Sequence, residues 1–309
     1  MRQPQKRQLG SDFVPPESVP PSPRPGNVAN AEGKKSTTWD PKVVGATVAS
    51  RVERQKRLGE LLYSSPHVWA DKQRKQQIIA DRVLSRSKAM KGRNFQSVAR
   101  HDLELMAYLY DEQFLDGIAL PLAESYGLSF RLSSRMTRAG GKTTRTVYPS
   151  TAGRPSRTHY EIALSTSLLF QSFRGTDDNI RVCGYDCRDR LTAMQRIVEH
   201  ELIHLCEMLV WIQSDCSAGR FQSIAHGMFG HTEHRHELIT QQQRAAKDYN
   251  IRAGNRVAFR FEGKTIVGVV NRITRRATIL VEDSRGERFS DGKRYLKYYV
   301  PINQLRPIA

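Results

Sequence analysis

The spacing of apolar residues predicts several amphipathic helices separated by polar segments. The longest is expected from Arg190 to about Trp211, with Asp189 at its N-cap and apolar side chains every three to four positions. The same spacing predicts shorter helices within 43–92, where Pro66 separates two of them, and at 98–117, 165–170, 220–229 and 241–249.

Alternation of apolar and polar residues predicts strands in two parts of the chain. The first group is expected at 128–133, 144–147 and 160–164, ahead of the long helix. After residue 251, four or five short strands follow one another closely, which predicts a small C-terminal β-barrel similar to SH3-like or KOW-type modules. Helices and strands in separate stretches indicate an α+β fold class.

The chain of 309 residues is expected to contain three parts. Residues 1–95 form a basic, partly disordered N-terminal extension with helices, because prolines cluster among polar residues in 1–42. Residues 96–250 form the central domain, and residues 251–309 form the small barrel.

Positive charge is concentrated at the two ends of the chain. The formal net charge is +18, of which residues 51–100 carry +9 and residues 251–309 carry +8, whereas residues 101–250 carry −2. Nucleic acid is the natural partner of such basic flanks, although a solvated, solubilising surface explains the same charge. In the barrel, Arg272, Arg275 and Arg276 could contact phosphates, and Tyr295, Tyr298 and Tyr299 could stack on bases or pack the core.

Composition also bears on the compartment. No run of about 18 apolar residues is present, so no membrane partner is expected, and the N-terminus lacks the apolar region of a secretory signal. The chain has only four cysteines, which argues against a disulfide scaffold and favours a reducing cytoplasmic setting, with association with the nucleoid compatible. Cys183 and Cys187 form a C-x₃-C pair without a matching second pair, and we interpret them as incidental thiols.

The strongest chemical signal is the H-E-L-I-H segment at 200–204, an H-E-x-x-H motif within the long predicted helix. Its four-residue spacing places the imidazoles of His200 and His204 one turn apart on one face, where both can bind the same ion. Zn²⁺ is the expected cofactor because it suits nitrogen ligands. Glu201 lies beside these ligands and is the expected catalytic general base, taking a proton from water and passing it to a leaving amine.

A catalytic zinc site needs a third protein ligand and one open position. We favour His231, because the preceding glycine lets the backbone turn back toward the site. His226 and His236 are alternatives, with Cys216 as a further one, and donors left over could orient the substrate.

The chain resembles the SprT-like family of zinc metallopeptidases over roughly residues 96–240. The resemblance is carried by YDEQF at 110–114, LSFRLSSRMTRAGG at 128–141, EIALSTSLL at 161–169 and the H-E-x-x-H segment. It implies a minimal zincin-like core of helices and a small antiparallel sheet, and peptide-bond hydrolysis. It also implies an association with DNA, since some members digest proteins crosslinked to it.

One part of the family pattern is missing. The family's third ligand is a histidine in an H-G-x-x-F segment, but here Ser217 stands four residues before Phe221. His226 begins H-G-M-F, which is one residue too short. The F-G-H-T segment that contains His231, with His236 five positions later, resembles a variant of the pattern.

Two functions from different classes follow from these observations. The first is a zinc-dependent endopeptidase acting on proteins associated with nucleic acid. The second is a nucleic-acid-binding protein whose zinc is structural and closed by four protein ligands. Glu201 favours the first, because a structural site has no use for a carboxylate at that position.

Overall fold

The computed structural model describes residues 43–64, 68–173 and 180–308. The disorder predicted for 1–42 and the break predicted at Pro66 lie outside these residues. The chain divides into two compact units, of which the larger comprises Ala49–Asp248 and the other contains the chain from Tyr249 onward.

Helices dominate the chain up to residue 250. They are α1 (Val43–Tyr63), α2 (Trp69–Arg86), α3 (Arg100–Phe114), α4 (Ala119–Glu124), α5 (Thr166–Ser172), α6 (Arg190–Trp211), α7 (Gly219–Phe229) and α8 (Gln241–Tyr249). The long helix predicted from Arg190 is confirmed as α6, and the side chain of Asp189 caps it by accepting from the backbone N–H of Thr192.

Helix α6 is the centre of the larger unit, and most of its residues are buried. The same apolar cluster includes residues ahead of the predicted central domain, so α1 and α2 belong to the core that surrounds α6. These residues are Leu58, Leu62, Ile79, Val83, Met90 and Phe95. Helix α6 is therefore enclosed by neighbouring elements, and its buried residues include polar and charged ones as well as apolar ones.

Two small sheets flank α6. The first contains β1 (Leu128–Ser133), β2 (Gly141–Tyr148) and β3 (Arg157–Ser165) in the order β1-β3-β2. β2 is antiparallel to β3 but β1 is parallel to it, so this sheet is mixed, whereas the sequence predicted an antiparallel one. The reason is topological: β3 returns between the two earlier strands and pairs with both.

The second sheet is built from very short strands. It contains β4 (Ile180–Val182), β5 (Tyr185–Cys187) and β6 (His236–Glu237) in the order β5-β4-β6. In the antiparallel β4–β6 pair, Val182 lies opposite His236, and the backbone N–H of Cys183 donates to the carbonyl of Arg235 at 2.8 Å. This pairing brings the segment after α7 back to α6.

The C-terminal unit contains a five-stranded antiparallel sheet and a 3₁₀ turn at Ile302–Gln304. Its strands are β7 (Arg256–Phe261), β8 (Lys264–Ile273), β9 (Ala277–Arg288), β10 (Arg294–Val300) and β11 (Arg306–Pro307), in the order β10-β9-β8-β7-β11. The small barrel predicted for this region is not closed: the sheet is open, with β10 and β11 at its two edges. β11 has only two residues, and Pro307 has no N–H to donate to a further strand.

The described part of the chain contains no helix with the length and apolar character that crossing a membrane requires. The α+β fold class is confirmed, with helices around mixed and antiparallel sheets in one unit and an antiparallel sheet in the other.

Candidate metal centre

The two motif histidines face each other on α6. The Nε2 atoms of His200 and His204 are 3.1 Å apart, close to the roughly 3.3 Å expected for two nitrogens that bind one tetrahedral zinc at about 2.0–2.1 Å. The buried ring of Phe221 packs against both imidazoles, with centroid distances of 4.8 and 4.6 Å. Burial lowers the pKa of both histidines, so both rings are neutral and carry a free lone pair.

The other nitrogen of His204 is held by a chain of polar groups. Its Nδ1 lies 2.7 Å from the hydroxyl of Ser214, and that hydroxyl lies 2.6 Å from Oε2 of the buried Glu207. The Nε–H of Arg220 donates to Oε1 of Glu207 at 2.7 Å. Partners of this kind fix the orientation of a ligand ring, and here they leave Nε2 turned toward His200.

Glu201 is buried beside the two histidines and against strand β2. The hydroxyl of Thr143 lies 2.8 Å from its Oε2 and 2.9 Å from its backbone carbonyl. Burial raises the pKa of Glu201 to about 8, opposed by hydrogen bonds from Thr143. The carboxyl group is therefore held in one orientation at a position where it can exchange a proton.

His236 also reaches the site, because the β4–β6 pairing carries it there. Its ring centroid is 4.4 Å from that of His200. Although the residue is partly exposed, its Nε2 atom is buried and has no hydrogen-bond partner among the described residues. Burial lowers the pKa of His236 to about 3. A neutral, unpartnered imidazole nitrogen beside His200 fits a site that binds a cation.

Two overlapping groups of donor atoms share His200. In one group, His200, His204 and Cys216 have ligand atoms that all lie within 4.8 Å of one another. In the other, the same holds for Cys183, His200 and His236. Imidazole nitrogens and thiolates are the ligands that zinc prefers, so both the chemistry and the positions of these residues fit the ion.

His231 belongs to neither donor group. Its buried Nε2–H points at Oε2 of the fully buried Glu199, 2.8 Å away, and Nδ1 has no hydrogen-bond partner in the described structure. Glu199 also accepts from Gln76 at 2.9 Å and lies 3.0 Å from Arg196. In this structure, His231 is thus part of a buried polar cluster.

The remaining histidines considered from the sequence lie at the periphery. His226 is exposed, with Nδ1 3.3 Å from the carbonyl of His231, and Nδ1 of the half-buried His234 lies 3.5 Å from Gln222. Neither belongs to a donor group. Of the histidines after α6, His236 is therefore the one that the fold brings to the motif.

A cleft of about 870 Å³ opens over the histidines and Glu201. It is lined by Gly141, Lys142 and Thr143 at the start of β2 and by residues 234–240. Strand β2 is at the edge of its sheet, so one of its sides is not paired with a strand of that sheet.

Sequence reasoning overlooked the elements that deliver His236. The strands expected from the sequence ahead of α6 do not include Ile180–Val182 and Tyr185–Cys187, which form β4 and β5. The signal present in the sequence was the run I-R-V at 180–182, which alternates apolar and polar residues over only three positions.

Comparison of the chain with family models, with curated proteins and with solved structures gives no match.

Proposed function

We propose that this protein is a zinc-dependent endopeptidase that acts on proteins associated with nucleic acid. The observation that carries the proposal is the position of Glu201, whose buried carboxyl group lies next to two facing imidazoles at the floor of an open cleft. A carboxyl group placed there serves hydrolysis and has no role in holding the ion.

His200 and His204 would hold the zinc, with a third donor from Cys216 or His236. When bound, the ion supplies a Lewis acid that polarises a peptide carbonyl and lowers the pKa of water. Glu201 accepts the proton of the attacking water and then delivers it to the leaving amine. Thr143 keeps the carboxyl oriented for both transfers.

The edge of β2 provides the means of holding a substrate. An extended peptide that adds to this edge would gain backbone hydrogen bonds and would pass over the metal-binding residues. The mixed sheet, the motif helix and this edge together support a zincin-like core and membership of the SprT-like family, on the residues quoted above.

Nucleic acid is the partner that the basic flanks support, in a cytoplasmic setting. In the C-terminal unit, Arg272 and Arg275 are exposed. Tyr298 is buried and packs against Phe259 and Phe261, so of the three tyrosines considered it serves the core. Phosphate contacts by exposed arginines are therefore better supported than base stacking by Tyr298.

The decisive experiment compares the wild type with Glu201→Gln. Both proteins are loaded with zinc, assayed for bound metal, and incubated with a denatured protein and with a protein crosslinked to DNA. We expect the variant to retain zinc and to lose cleavage, because the ligands remain and the proton acceptor is gone. Equal cleavage by both proteins, or none by either, would reject the peptidase.

The alternative is a nucleic-acid-binding protein with a structural zinc and no peptidase activity. The surplus of donors favours it, because Cys216 lies with both motif histidines and Cys183 and His236 lie beside His200. In that case neither protein cleaves and both bind zinc. Affinity for duplex DNA should fall steeply between 50 and 200 mM salt under either function, on the order of a thousandfold for six phosphate contacts, and a flat response would remove nucleic acid from both.

A further inference from the structure

We propose that the thiolate of Cys216 is the third ligand of the zinc, so that the site contains two imidazoles and one thiolate. This inference rests on the proposed function, in that it concerns the same ion. It departs from the three-histidine set that the family resemblance implies and from the expectation of His231.

The donor atom of Cys216 lies close to those of both motif histidines. In the described structure, the donor group that contains both motif histidines is the one that Cys216 completes. Cys216 also lines the cleft together with these two residues. Since a shared ion must touch every ligand at once, mutual closeness to both His200 and His204 is the relevant criterion.

The other donors approach His200 from a different side of its ring. The sulfur of Cys183 lies 3.7 Å from Nδ1 of His200, whereas Nε2 of His200 faces His204. Nδ1 and Nε2 point away from the ring in different directions, so one ion cannot use both. His236 belongs to the group with Cys183 and not to a group with His204.

Hydrogen bonds hold the segment that carries Cys216 beside His204. α6 ends at Trp211 and Ile212 adopts a positive φ of 69°, which turns the chain back toward the helix. Arg220 donates to the carbonyl of Gln213 at 3.2 Å, and Ser214 contacts His204 and Glu207. The thiol is thus presented by an anchored segment.

The burial of the four cysteines agrees with this assignment. Cys183, Cys187 and Cys206 are buried, whereas Cys216 is half-buried. The Sγ of Cys216 makes no hydrogen bond within the described ranges, and its donor atom is available to a soft cation such as zinc. His236, which also lines the cleft, then remains available to contact substrate.

The test uses the full-length protein with Co²⁺ in place of zinc. A thiolate ligand gives an intense sulfur-to-cobalt charge-transfer band in the near ultraviolet, which imidazole and carboxylate ligands do not give. We expect this band in the wild type and in Cys183→Ser, and its loss in Cys216→Ser while the visible d–d bands persist. Zinc affinity of Cys216→Ser should fall roughly tenfold or more.

A second measurement needs no variant. The metal-free and zinc-loaded wild type are treated with iodoacetamide, and the alkylated positions are mapped. We expect Cys216 to react in the metal-free protein and to be protected by zinc, since a bound thiolate is not free to attack.

The possible outcomes are distinct. Metal binding without the charge-transfer band, together with loss of affinity in His236→Ala, overturns the assignment to Cys216 and leaves the peptidase intact. Retention of the band in Cys216→Ser and its loss in Cys183→Ser also overturns it. A wild type that binds neither Co²⁺ nor zinc rejects both this inference and the proposed function.

Discussion

Ser214 lies between His204 and Glu207, at 2.7 Å from the imidazole Nδ1 and 2.6 Å from the carboxylate Oε2. The hydroxyl can donate one hydrogen only, and a carboxylate cannot donate. The arrangement is therefore satisfied when Nδ1–H of His204 donates to Ser214 and Ser214 donates to Glu207, which leaves Nε2 of His204 with a free lone pair.

This relationship predicts that Ser214→Ala weakens metal binding without removing a ligand. We expect the dissociation constant for zinc to rise roughly 10- to 100-fold, because the orientation and tautomer of His204 are no longer fixed. Competition with a chromophoric chelator measures the change. Ser214→Thr keeps the hydroxyl and should remain close to the wild type, as should Ser217→Ala, whose side chain contacts only Asp215 among the described residues.

The close approach of β2 to α6 predicts that Gly141→Ala damages catalysis. A Cβ at Gly141 would lie 2.5 Å from Oε1 of Glu201 and 2.7 Å from Cγ2 of Ile197, so the carboxyl group must move. We expect kcat/KM to fall roughly a hundredfold with zinc content unchanged. Gly219→Ala is the matched control, since nothing lies within 4 Å of its Cβ. Equal activity of both variants would show that Glu201 is not positioned by this contact.

The burial of His231 against Glu199 predicts that His231→Ala affects stability rather than metal content. In this variant the fully buried carboxylate of Glu199 keeps its contacts with Gln76 and Arg196 but loses one hydrogen-bond donor. We therefore expect the free energy of unfolding to fall by about 1–3 kcal/mol. Urea unfolding measures the loss, and metal analysis checks the stoichiometry. His234→Ala should alter neither. Loss of zinc from His231→Ala at unchanged stability would instead make His231 a ligand.

A buried carboxyl group away from the site predicts a specific dependence of stability on pH. Asp111 accepts the backbone N–H groups of Ala119 and Leu120 at 2.9 and 3.1 Å, yet burial raises its pKa from 3.8 to about 6. The folded protein then binds this proton more tightly than the unfolded chain. The contribution of Asp111 to stability is accordingly present below pH 3.8 and is lost as the pH rises through about 6.

The measurement compares the wild type with Asp111→Asn, which carries no titrating proton at this position. We expect the wild type to lose about 2 kcal/mol relative to the variant between pH 4 and pH 7, because one pKa unit corresponds to about 1.4 kcal/mol and part of the effect lies below pH 4. The lost acceptor oxygen of the variant adds only a constant offset. If the difference in unfolding free energy between the two proteins stays constant with pH, or changes in favour of the wild type as the pH rises, the raised pKa of Asp111 is contradicted.

The sequence predicts those parts of the molecule whose signal is local. The apolar spacing and the Asp189 cap predict α6, and the four-residue spacing of His200 and His204 predicts that they share a face. The parallel pairing of β1 with β3 is not predicted, because it depends on which strand returns between the other two. The predicted C-terminal barrel proves not to be closed, since short alternating strands indicate a sheet but not its closure.

The positions of the site residues are also predictable from the sequence only where the signal is local. His236 is delivered by a two-residue strand that pairs with β4, more than 50 positions earlier in the chain. Such a strand is too short to have a periodicity of its own, so the sequence pattern does not predict it. His231 contacts Glu199 instead of joining the motif histidines. The sequence places Glu199 on α6 but does not indicate which way its side chain faces.

The contacts of Gln76 determine how far the larger unit can be truncated from its N-terminal side. From helix α2, its side chain donates to Glu199 at 2.9 Å and its carbonyl accepts from Gln195 at 2.7 Å, both inside the protein. Deleting everything before residue 96 would remove these partners from Gln195 and from Glu199, the residue that precedes His200. A truncated protein that keeps the surroundings of His200 intact must therefore retain α2, although the basic residues of this helix resemble those of a separate N-terminal extension.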